Sequence, residues 1–258
     1  MCLIFLAHQA HPRYALVVAA NRDEFYSRPT RSAEYWPEYP DLLAGQDLQA
    51  GGTWLGISRT GRFAAVTNRR LPDSPITGPS RGLLVRDFLI GSDSPPQYLE
   101  KLQQSPEPPV SFNLLVADQD SLHYGSDQQS ATHTAVPPGI HGLSNASFNT
   151  PWPKVEEGKQ RFQAALEQTT PLPHLFALLT DPQIAPDNKL PDTGIGLALE
   201  RTLSAAFVHR EAYGTRCSTV LLVTKTGEVV FIERSYPSGN PNHYAEQRFE
   251  FQLNNGAN

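Results

Sequence analysis

The sequence predicts an α+β fold built on antiparallel sheets. Three observations support this class. Apolar, strand-forming runs come in pairs joined by short polar turns, which is the pattern of β-hairpins. Helical patterns stand in blocks between these hairpins, and the regular alternation of strand and helix that marks parallel α/β folds is missing. Because no repeat, low-complexity tract or linker interrupts the 258 residues, we expect a single domain over residues 1–258.

The elements are predicted in chain order from these patterns. Residues 2–8 and 14–20 form a first hairpin around a polar loop that contains Pro12. Residues 25–48, rich in Pro, Tyr and charged side chains, are predicted to be irregular surface structure. The remaining predictions are strands over 53–57, 62–67, 112–117, 121–124, 218–224, 229–233 and, as a sheet edge, 249–253; helices over 82–90, 96–103, 154–168, 175–179 and 198–207; and loops over 137–139, 142–147 and 186–196.

Cys2 is the candidate nucleophile. It directly follows the initiator methionine, so removal of Met1 leaves a residue that carries both a thiol and a free α-amine. An α-amine has an unperturbed pKa of about 7.7–8 and can accept the thiol proton, so no histidine partner is needed. The alternative is that Cys2 is an ordinary small residue at the start of a strand. The other cysteine, Cys217, stands in an apolar strand and is predicted to be a buried core thiol.

Polar side chains at two strand ends are the candidate partners of Cys2. The return strand of the first hairpin brings residues 21–24 beside the start of the outgoing strand. A polar run of this kind is also typical of a solvated strand end. The strands predicted over 53–57 and 62–67 form a second hairpin. Asn68 ends it, and this residue is interpreted either as a turn residue or as a hydrogen-bond donor to an oxyanion.

The composition limits the classes of partner. The formal net charge is −5 at pH 7, and the chain has no basic cluster suited to nucleic acid or to an anionic membrane. The apolar run after Cys2 is too short for a secretory signal, and no stretch approaches the roughly 20 apolar residues of a transmembrane helix. With two cysteines, which are expected to be free thiols, we expect a cytoplasmic protein that acts on a small molecule.

Neither a metal nor another cofactor is expected. His8 and His11 lack the spacing of an established zinc motif, and no cluster of cysteine or carboxylate ligands accompanies them. The glycines of the chain do not form a phosphate-binding loop, and no Gly-x-Ser-x-Gly elbow is present. The chemistry is therefore expected to depend on side chains of the protein itself.

Several short motifs together resemble one known family. The motifs are NRDE at 21–24, GGTWLG at 51–56, AVTN at 65–68, LSN at 143–145, PWPK at 151–154 and RCSTV at 216–220. With these motifs in this order, the chain is similar to the NRDE family, also called the transport and Golgi organisation family. The resemblance extends from Met1 to about Tyr236, which is nearly the whole length of the chain.

The resemblance implies a fold and a set of site residues. The NRDE family in turn resembles N-terminal nucleophile hydrolases of the penicillin V acylase and bile salt hydrolase type. These are four-layer αββα sandwiches of two antiparallel sheets, in which an N-terminal cysteine attacks a linear amide. Matched motif by motif, the resemblance assigns the nucleophile to Cys2, the residue that orients its amine to Asp23, and supporting positions near the oxyanion or nucleophile to Asn68, Asn145 and Arg216.

Arg22 is a further candidate, but its position differs from the pattern of the acylases. Those enzymes carry an arginine three residues before the aspartate, whereas Arg22 is adjacent to Asp23. Adjacent residues of a strand point to opposite faces, so the two side chains are not expected to reach Cys2 in the same way.

Two functions follow from the resemblance. In the first, Cys2 attacks an acyl carbonyl, Asn68 and Asn145 stabilise the oxyanion together with a backbone N–H, and water releases the thioester. In the second, the fold binds haem, a lipid or acyl-coenzyme A without catalysis, and Cys2 with His8 or His11 contacts the ligand. Any haem would be bound non-covalently, because the chain has no Cys-x-x-Cys-His motif.

Overall fold

The computed structural model describes residues 2–70, 80–105, 111–127 and 133–254, in which the strands form two antiparallel sheets. Sheet A consists, from edge to edge, of β10 (Gly139–Leu143), β1 (Cys2–His8), β2 (Tyr14–Phe25), β11 (Tyr213–Thr224), β12 (Glu228–Ser235) and β13 (Ala245–Gln252). Sheet B consists of β3 (Thr30–Trp36), β4 (Tyr39–Asp47), β5 (Leu55–Ser58), β6 (Phe63–Asn68), β7 (Phe112–Ala117), β8 (Leu122–Ser126) and β9 (Thr134–Ala135).

Helices cover the outer face of each sheet. Sheet B carries α1 (Arg81–Ile90) and α2 (Pro95–Gln103), whereas sheet A carries α3 (Pro153–Leu166) and α4 (Pro171–Leu179). The segment between α4 and β11 holds a short 3₁₀ helix, Asp187–Lys189, and α5 (Leu197–Leu203). Buried apolar side chains form three clusters, one between the sheets and one under each helix pair. This layering confirms the predicted αββα sandwich.

Strand β1 illustrates how both faces of a sheet are buried. Leu3 and Phe5 pack against the layer of α3 and α4, whereas Ile4 and Leu6 pack between the sheets. None of these four side chains is more than 2% exposed. A strand that is buried on both faces has no solvent-facing positions, which is why this part of the sequence is continuously apolar and not alternating.

The prediction of irregular structure for residues 25–48 is wrong. The segment contains β3 and β4, which form one edge of sheet B. Their pairing is interrupted by register shifts after Arg31 and after Tyr35. Bulges and prolines are tolerated at a sheet edge, and they hide the alternation by which a strand is recognised in a sequence.

The loops predicted for residues 137–139 and 142–147 are also wrong in part, because strand β10 at the edge of sheet A includes residues of both. Gly142, which suggests a loop in the sequence, has a packing role instead. A Cβ atom at Gly142 would lie 2.7 Å from Cγ1 of Val155 in α3. The glycine therefore lets α3 approach the sheet closely.

Other element boundaries differ by a few residues from those predicted. Strand β11 begins at Tyr213, well before the predicted start at Ser218, so Arg216 and Cys217 lie inside the sheet. Helix α5 ends at Leu203 and does not reach Phe207. Strand β13 lies at the edge of sheet A, as predicted.

Candidate functional site

Strand β2 extends to Phe25, which places the polar run 21–24 within sheet A and not after it. Cys2 of β1 lies opposite Arg22, and Cys217 of β11 lies opposite Arg22 on its other side. Directly opposed residues of antiparallel strands point to the same face. Because Cys217 packs in the cluster between the sheets, the row Cys2, Arg22, Cys217 faces sheet B.

A cleft with a cavity volume of about 90 Å³ lies at this end of the sandwich. Sheet A, sheet B and the start of α1 all contribute to it. It brings together four of the six predicted site residues, and Asn145 and Arg216 are not among its described lining residues. The lining residues are Cys2, Arg22, Asp23, Glu24, Arg28, Asp47, Thr53, Trp54, Val66, Asn68, Ser80, Arg81 and Gly82.

The environment of Cys2 favours the neutral thiol. Cys2 is the first residue of β1, and its carbonyl oxygen accepts a hydrogen bond from Oγ of Ser144 at 3.4 Å. Burial raises the pKa of the thiol, and the neighbouring Asp23 raises it further. A thiol of this kind needs a base before it can act as a nucleophile. The predicted removal of Met1 concerns a residue outside the described ranges.

Asp23 is held by two residues of β11. Its Oδ1 atom accepts a hydrogen bond of 2.7 Å from Oγ1 of Thr215, and its backbone carbonyl accepts one of 3.1 Å from the Tyr213 hydroxyl. Asp23 is 2% exposed, and burial raises the pKa of its carboxyl group, whereas the charge of Lys154 lowers it. Arg22 and Asp23 both contribute to the lining of the cleft, although adjacent residues of a strand point to opposite faces of the sheet.

Lys154 is a functional candidate that the sequence reasoning did not identify. It is the second residue of α3, and its buried Nζ atom donates a hydrogen bond of 2.8 Å to the carbonyl of Leu203. Burial lowers the pKa of Lys154 to about 8, against the opposing effect of Asp23. The available signal was the PWPK motif, in which a lysine directly follows a helix-starting proline.

Asn68 and Asn145 occupy different positions relative to the cleft. Asn68 ends β6 and lines the cleft, and within the described ranges its side-chain amide has no hydrogen-bond partner in the protein. Asn145 is 1% exposed, and its Nδ2 atom donates a hydrogen bond of 2.7 Å to the carbonyl of Asn68. The amide of Asn145 therefore holds the backbone of Asn68. The expectation that both amides reach the oxyanion is not matched by this placement.

A short hydrogen-bond network fixes the segment that carries Asn145. Thr67 donates from Oγ1 to the carbonyl of Ser144 at 2.6 Å, and the backbone N–H of Arg70 donates to the carbonyl of Asn145 at 2.8 Å. Asn113 of β7 donates to Oγ1 of Thr67 at 3.0 Å. Sheet B and the loop after β10 are thus joined directly behind the cleft.

Arg22 is neutralised by residues of sheet B. Its Nη2 atom lies 3.8 Å from Oδ2 of Asp47, and its Nη1 atom donates to Oγ1 of Thr30 at 3.0 Å. The guanidinium also lies over the ring of Trp54, with 4.4 Å between the guanidinium carbon and the ring centroid. Arg28 contacts the same Asp47 carboxylate at 2.7 Å. These contacts indicate that Arg22 joins the two sheets at the base of the cleft.

Arg216, which is expected near the nucleophile, is not among the described lining residues of the cleft. Its Nη1 atom donates to the carbonyls of Phe25, Tyr26 and Arg28, at 2.8, 3.0 and 3.1 Å. These carbonyls belong to the turn that follows β2. A guanidinium with several donors is well suited to such a site, and Arg216 therefore holds this turn.

Arg81 lines the cleft and is another residue that the sequence reasoning did not identify. It is the first residue of α1, which reaches the cleft because two glycines pack closely. A Cβ atom at Gly52 would lie 2.4 Å from the carbonyl carbon of Gly82, and the carbonyl of Gly82 accepts a 3.0 Å hydrogen bond from Thr53. The GGT part of the GGTWLG motif thus positions the start of α1.

The histidines considered as ligand contacts lie far from Cys2. His8 is at the opposite end of β1, about 20 Å away at the rise of about 3.3 Å per strand residue. Its Nδ1 atom lies 3.0 Å from the carbonyl of Val136, and Nδ1 of His11 accepts a hydrogen bond from the N–H of Arg13. In the part of the chain that the structure describes, no group of three or more His, Cys, Asp or Glu side chains is placed to hold a metal ion.

Cys217 is buried, as predicted, and lies beside a second buried acid. Glu233 of β12 accepts a hydrogen bond of 2.8 Å from the N–H of Ala33 at Oε1, and its Oε2 atom has no partner within the described ranges. Burial raises the pKa of Glu233 to about 7, and the pKa of the Cys217 thiol is raised by burial and by Glu233. Neither Glu233 nor Cys217 is among the described lining residues of the cleft.

None of the helices in the described residues has the length and apolar character that a membrane crossing requires.

Comparison with solved structures supports the fold. A Caenorhabditis elegans ortholog of N-acylethanolamine-hydrolyzing acid amidase superposes with a TM-score of 0.52 over 86% of this chain and 92% of that chain. The two sequences are 9% identical, so the similarity concerns the fold alone. It agrees with the predicted fold of the N-terminal nucleophile hydrolase type.

Comparison with sequences identifies the family. The profile of the family described as Transport and Golgi organisation 2 matches residues 1–238. The Homo sapiens Transport and Golgi organization protein 2 homolog is 37% identical, with 98% of this chain and 99% of that protein covered. The Drosophila melanogaster Transport and Golgi organization protein 2 is 30% identical, with 99% and 100% covered. The family resemblance of the motifs is thereby confirmed, and the chain belongs to the Transport and Golgi organisation 2 family.

Proposed function

We propose that the protein is an N-terminal nucleophile hydrolase that cleaves an amide or another acyl bond of a small molecule. The observation that carries the proposal is the cleft in which Cys2, at the start of β1, lies with Asp23 and Asn68. Removal of Met1 would expose the α-amine of Cys2 beside the thiol. We place the reaction in the cytoplasm, since both cysteines are free thiols and suit a reducing compartment.

In the first step the α-amine of Cys2 takes the thiol proton. The thiolate forms a bond to the carbonyl carbon of the substrate, and the electron pair of the C=O bond moves to the oxygen. A base is required because burial raises the pKa of this thiol. Asp23, oriented by the hydroxyl of Thr215, accepts a hydrogen bond from the amine in this proposal and holds it toward the sulfur.

The oxyanion is stabilised by the side-chain amide of Asn68. Asn68 lines the cleft, and the hydrogen bond from Asn145 to the carbonyl of Asn68 fixes its backbone. A fixed donor stabilises developing charge more than a mobile one, because no reorganisation is needed during the reaction. Asn145 is therefore proposed as a positioning residue for Asn68.

Collapse of the intermediate breaks the bond to the leaving group. The leaving amine takes the proton from the ammonium of Cys2, and a thioester remains on the sulfur. Water then attacks the thioester with the α-amine again as the base, which releases the acid and restores the thiol. No metal or other cofactor takes part in this sequence.

The alternative of haem binding is not favoured by the site. The cleft has a cavity volume of about 90 Å³, whereas pockets for ligands of drug size are about 300–1,000 Å³. Charged side chains also form much of its lining, and Cys2 and His8 are separated by the length of β1. These residues do not fit one haem site, and the same cleft does not fit a long lipid chain.

The proposal is tested with protein expressed without an N-terminal tag. We expect the intact mass to show loss of one methionine, and a panel of N-acyl amides to yield at least one substrate. Cys2→Ala should abolish turnover, whereas Cys217→Ala, which changes the buried thiol outside the cleft, should retain it. Retention of Met1, or turnover that survives Cys2→Ala, would refute the mechanism.

A further inference from the structure

Arg81 differs from the other arginines of the cleft in the partners of its guanidinium group. Arg22 lies 3.8 Å and Arg28 lies 2.7 Å from the carboxylate of Asp47. Within the described ranges, Arg81 has no carboxylate at ion-pair distance. Its described hydrogen bond is a long one, 3.4 Å from Nη1 to the carbonyl of Ser111. Among the described residues, Arg81 therefore has no carboxylate in direct contact, and Glu24 of the same cleft acts on its charge only from a longer distance.

This unpaired charge is not fully solvated. Arg81 is partly buried at the start of α1, and burial lowers the pKa of its guanidinium more than the neighbouring Cys2 and Glu24 raise it. Placing a cation in a partly dehydrated site without a counter-ion is unfavourable unless a ligand provides the opposite charge. Since Arg81 shares the cleft with Cys2, such a ligand would lie beside the thiol.

We propose that Arg81 binds a carboxylate group of the molecule that reacts at Cys2. The planar guanidinium presents paired N–H donors that match the two oxygens of a carboxylate. The cleft has a cavity volume of about 90 Å³, so both groups are expected to belong to one small molecule. Together with the proposed hydrolysis, on which this step rests, the substrates are compounds such as N-acyl amino acids, with a carboxylate near the scissile bond.

The binding of an anion beside Cys2 can be tested without a known substrate. Iodoacetate and iodoacetamide alkylate a thiolate by the same reaction and have similar sizes, but iodoacetate carries a carboxylate. The ratio of their rates at Cys2, followed by mass spectrometry, isolates recognition of that charge. A change in the pKa of the thiol affects both reagents equally and cancels in the ratio.

We expect Arg81→Gln to lower the ratio of the iodoacetate rate to the iodoacetamide rate about five- to tenfold, the size expected for two charges at close range in a partly hydrated site. Arg81→Lys keeps the positive charge and should lower this ratio of rates less. If Arg81→Gln does not fold, the Lys variant still tests the proposal. Arg86→Gln is the matched control, because Arg86 is on the same helix but outside the lining of the cleft. An unchanged ratio in Arg81→Gln would overturn the proposal.

Hydrolysis separates this inference from the proposed function. N-acylglycines are compared with the corresponding N-acylglycinamides, which are of similar size but neutral. Turnover of both at equal kcat/KM, unchanged by Arg81→Gln, would keep the hydrolase and refute carboxylate recognition. An alkylation ratio that depends on Arg81, with no turnover of any acyl compound, would refute the hydrolase and keep the anion site.

Discussion

The side-chain amide of Asn145 donates a 2.7 Å hydrogen bond to the backbone carbonyl of Asn68. This bond joins the loop after β10 of sheet A to the end of β6 in sheet B. Asn68 lines the cleft, and Asn145 is buried behind it. The resemblance assigns both asparagines the same role near the oxyanion. Because their contacts differ, replacing Asn68 and replacing Asn145 should have different effects.

Asn68→Ala should lower kcat about 10²- to 10³-fold on any substrate found, which is the typical effect of removing one oxyanion donor. It should change the free energy of unfolding little, since the side chain has no protein hydrogen bond within the described ranges. The measurements are steady-state kinetics and urea unfolding. Equal kcat values for the wild type and this variant would contradict the assignment of Asn68.

Asn145→Ala should lower both kcat and stability, because it removes a buried side chain and leaves the carbonyl of Asn68 without this donor. We expect a loss of about 1–3 kcal/mol in the free energy of unfolding. In a double-mutant cycle, Asn145→Ala should reduce kcat much less when Asn68 is already alanine. Additive losses would show that Asn145 contributes independently of Asn68.

Lys154→Met should reveal the cost of burying this lysine. The pKa of Lys154 is about 8 in the folded protein, below the value of about 10.4 for an exposed lysine, so the unfolded chain binds more protons between these pH values. Stability of the wild type relative to Lys154→Met should therefore rise by about 2–3 kcal/mol between pH 7 and pH 10. Urea unfolding of both proteins at the two pH values measures this difference in the free energy of unfolding. A difference that is the same at pH 7 and pH 10 would argue against a buried charge.

Glu233→Gln should show the opposite dependence on pH. The pKa of Glu233 is about 7 in the folded protein, above the value of about 4.3 for an exposed glutamate, so the folded chain binds more protons between these values. Stability of the wild type relative to Glu233→Gln should fall by about 2–3 kcal/mol as pH rises from 5 to 8. Thermal unfolding over this range tests it. A relative stability that rises with pH would contradict the direction.

Gly52→Ala should disturb the contact that brings α1 to the cleft. The added methyl group would lie 2.4 Å from the carbonyl carbon of Gly82, so backbone atoms must move. We expect a loss of about 1–3 kcal/mol in the free energy of unfolding. The control is Gly51→Asn, because Gly51 has φ of +73°, which asparagine tolerates, and nothing lies within 4 Å of its Cβ position. Similar losses in both variants would argue against the close contact as the cause.

The sequence predicts those parts of the site that follow directly from core strands. Cys2 begins an apolar run and Asn68 ends one, so their places at strand ends could be inferred from the pattern of apolar residues. Asp23 also lies where the first hairpin places it, beside the start of β1. In each case the local pattern and the sheet determine the position together.

The positions of Arg81, Arg216 and Asn145 depend on contacts between distant parts of the chain. Arg81 has the local pattern of an exposed helix start, and it reaches the cleft through the packing of Gly52 against Gly82. Arg216 stands close to Cys217 in the chain, but its guanidinium binds the turn after β2. Such side-chain directions are not encoded in spacing, which is why the motif comparison alone did not distinguish these roles.

The row Cys2, Arg22, Cys217 has a consequence for the response of the protein to oxidants. The two thiols lie on strands separated by β2, so their Cα atoms are about 9–10 Å apart, beyond the roughly 7 Å limit for a disulfide. The chain contains no third cysteine. A sulfenic acid formed at Cys2 by peroxide therefore cannot be resolved within the folded molecule, and its return to the thiol depends on an external reductant such as glutathione.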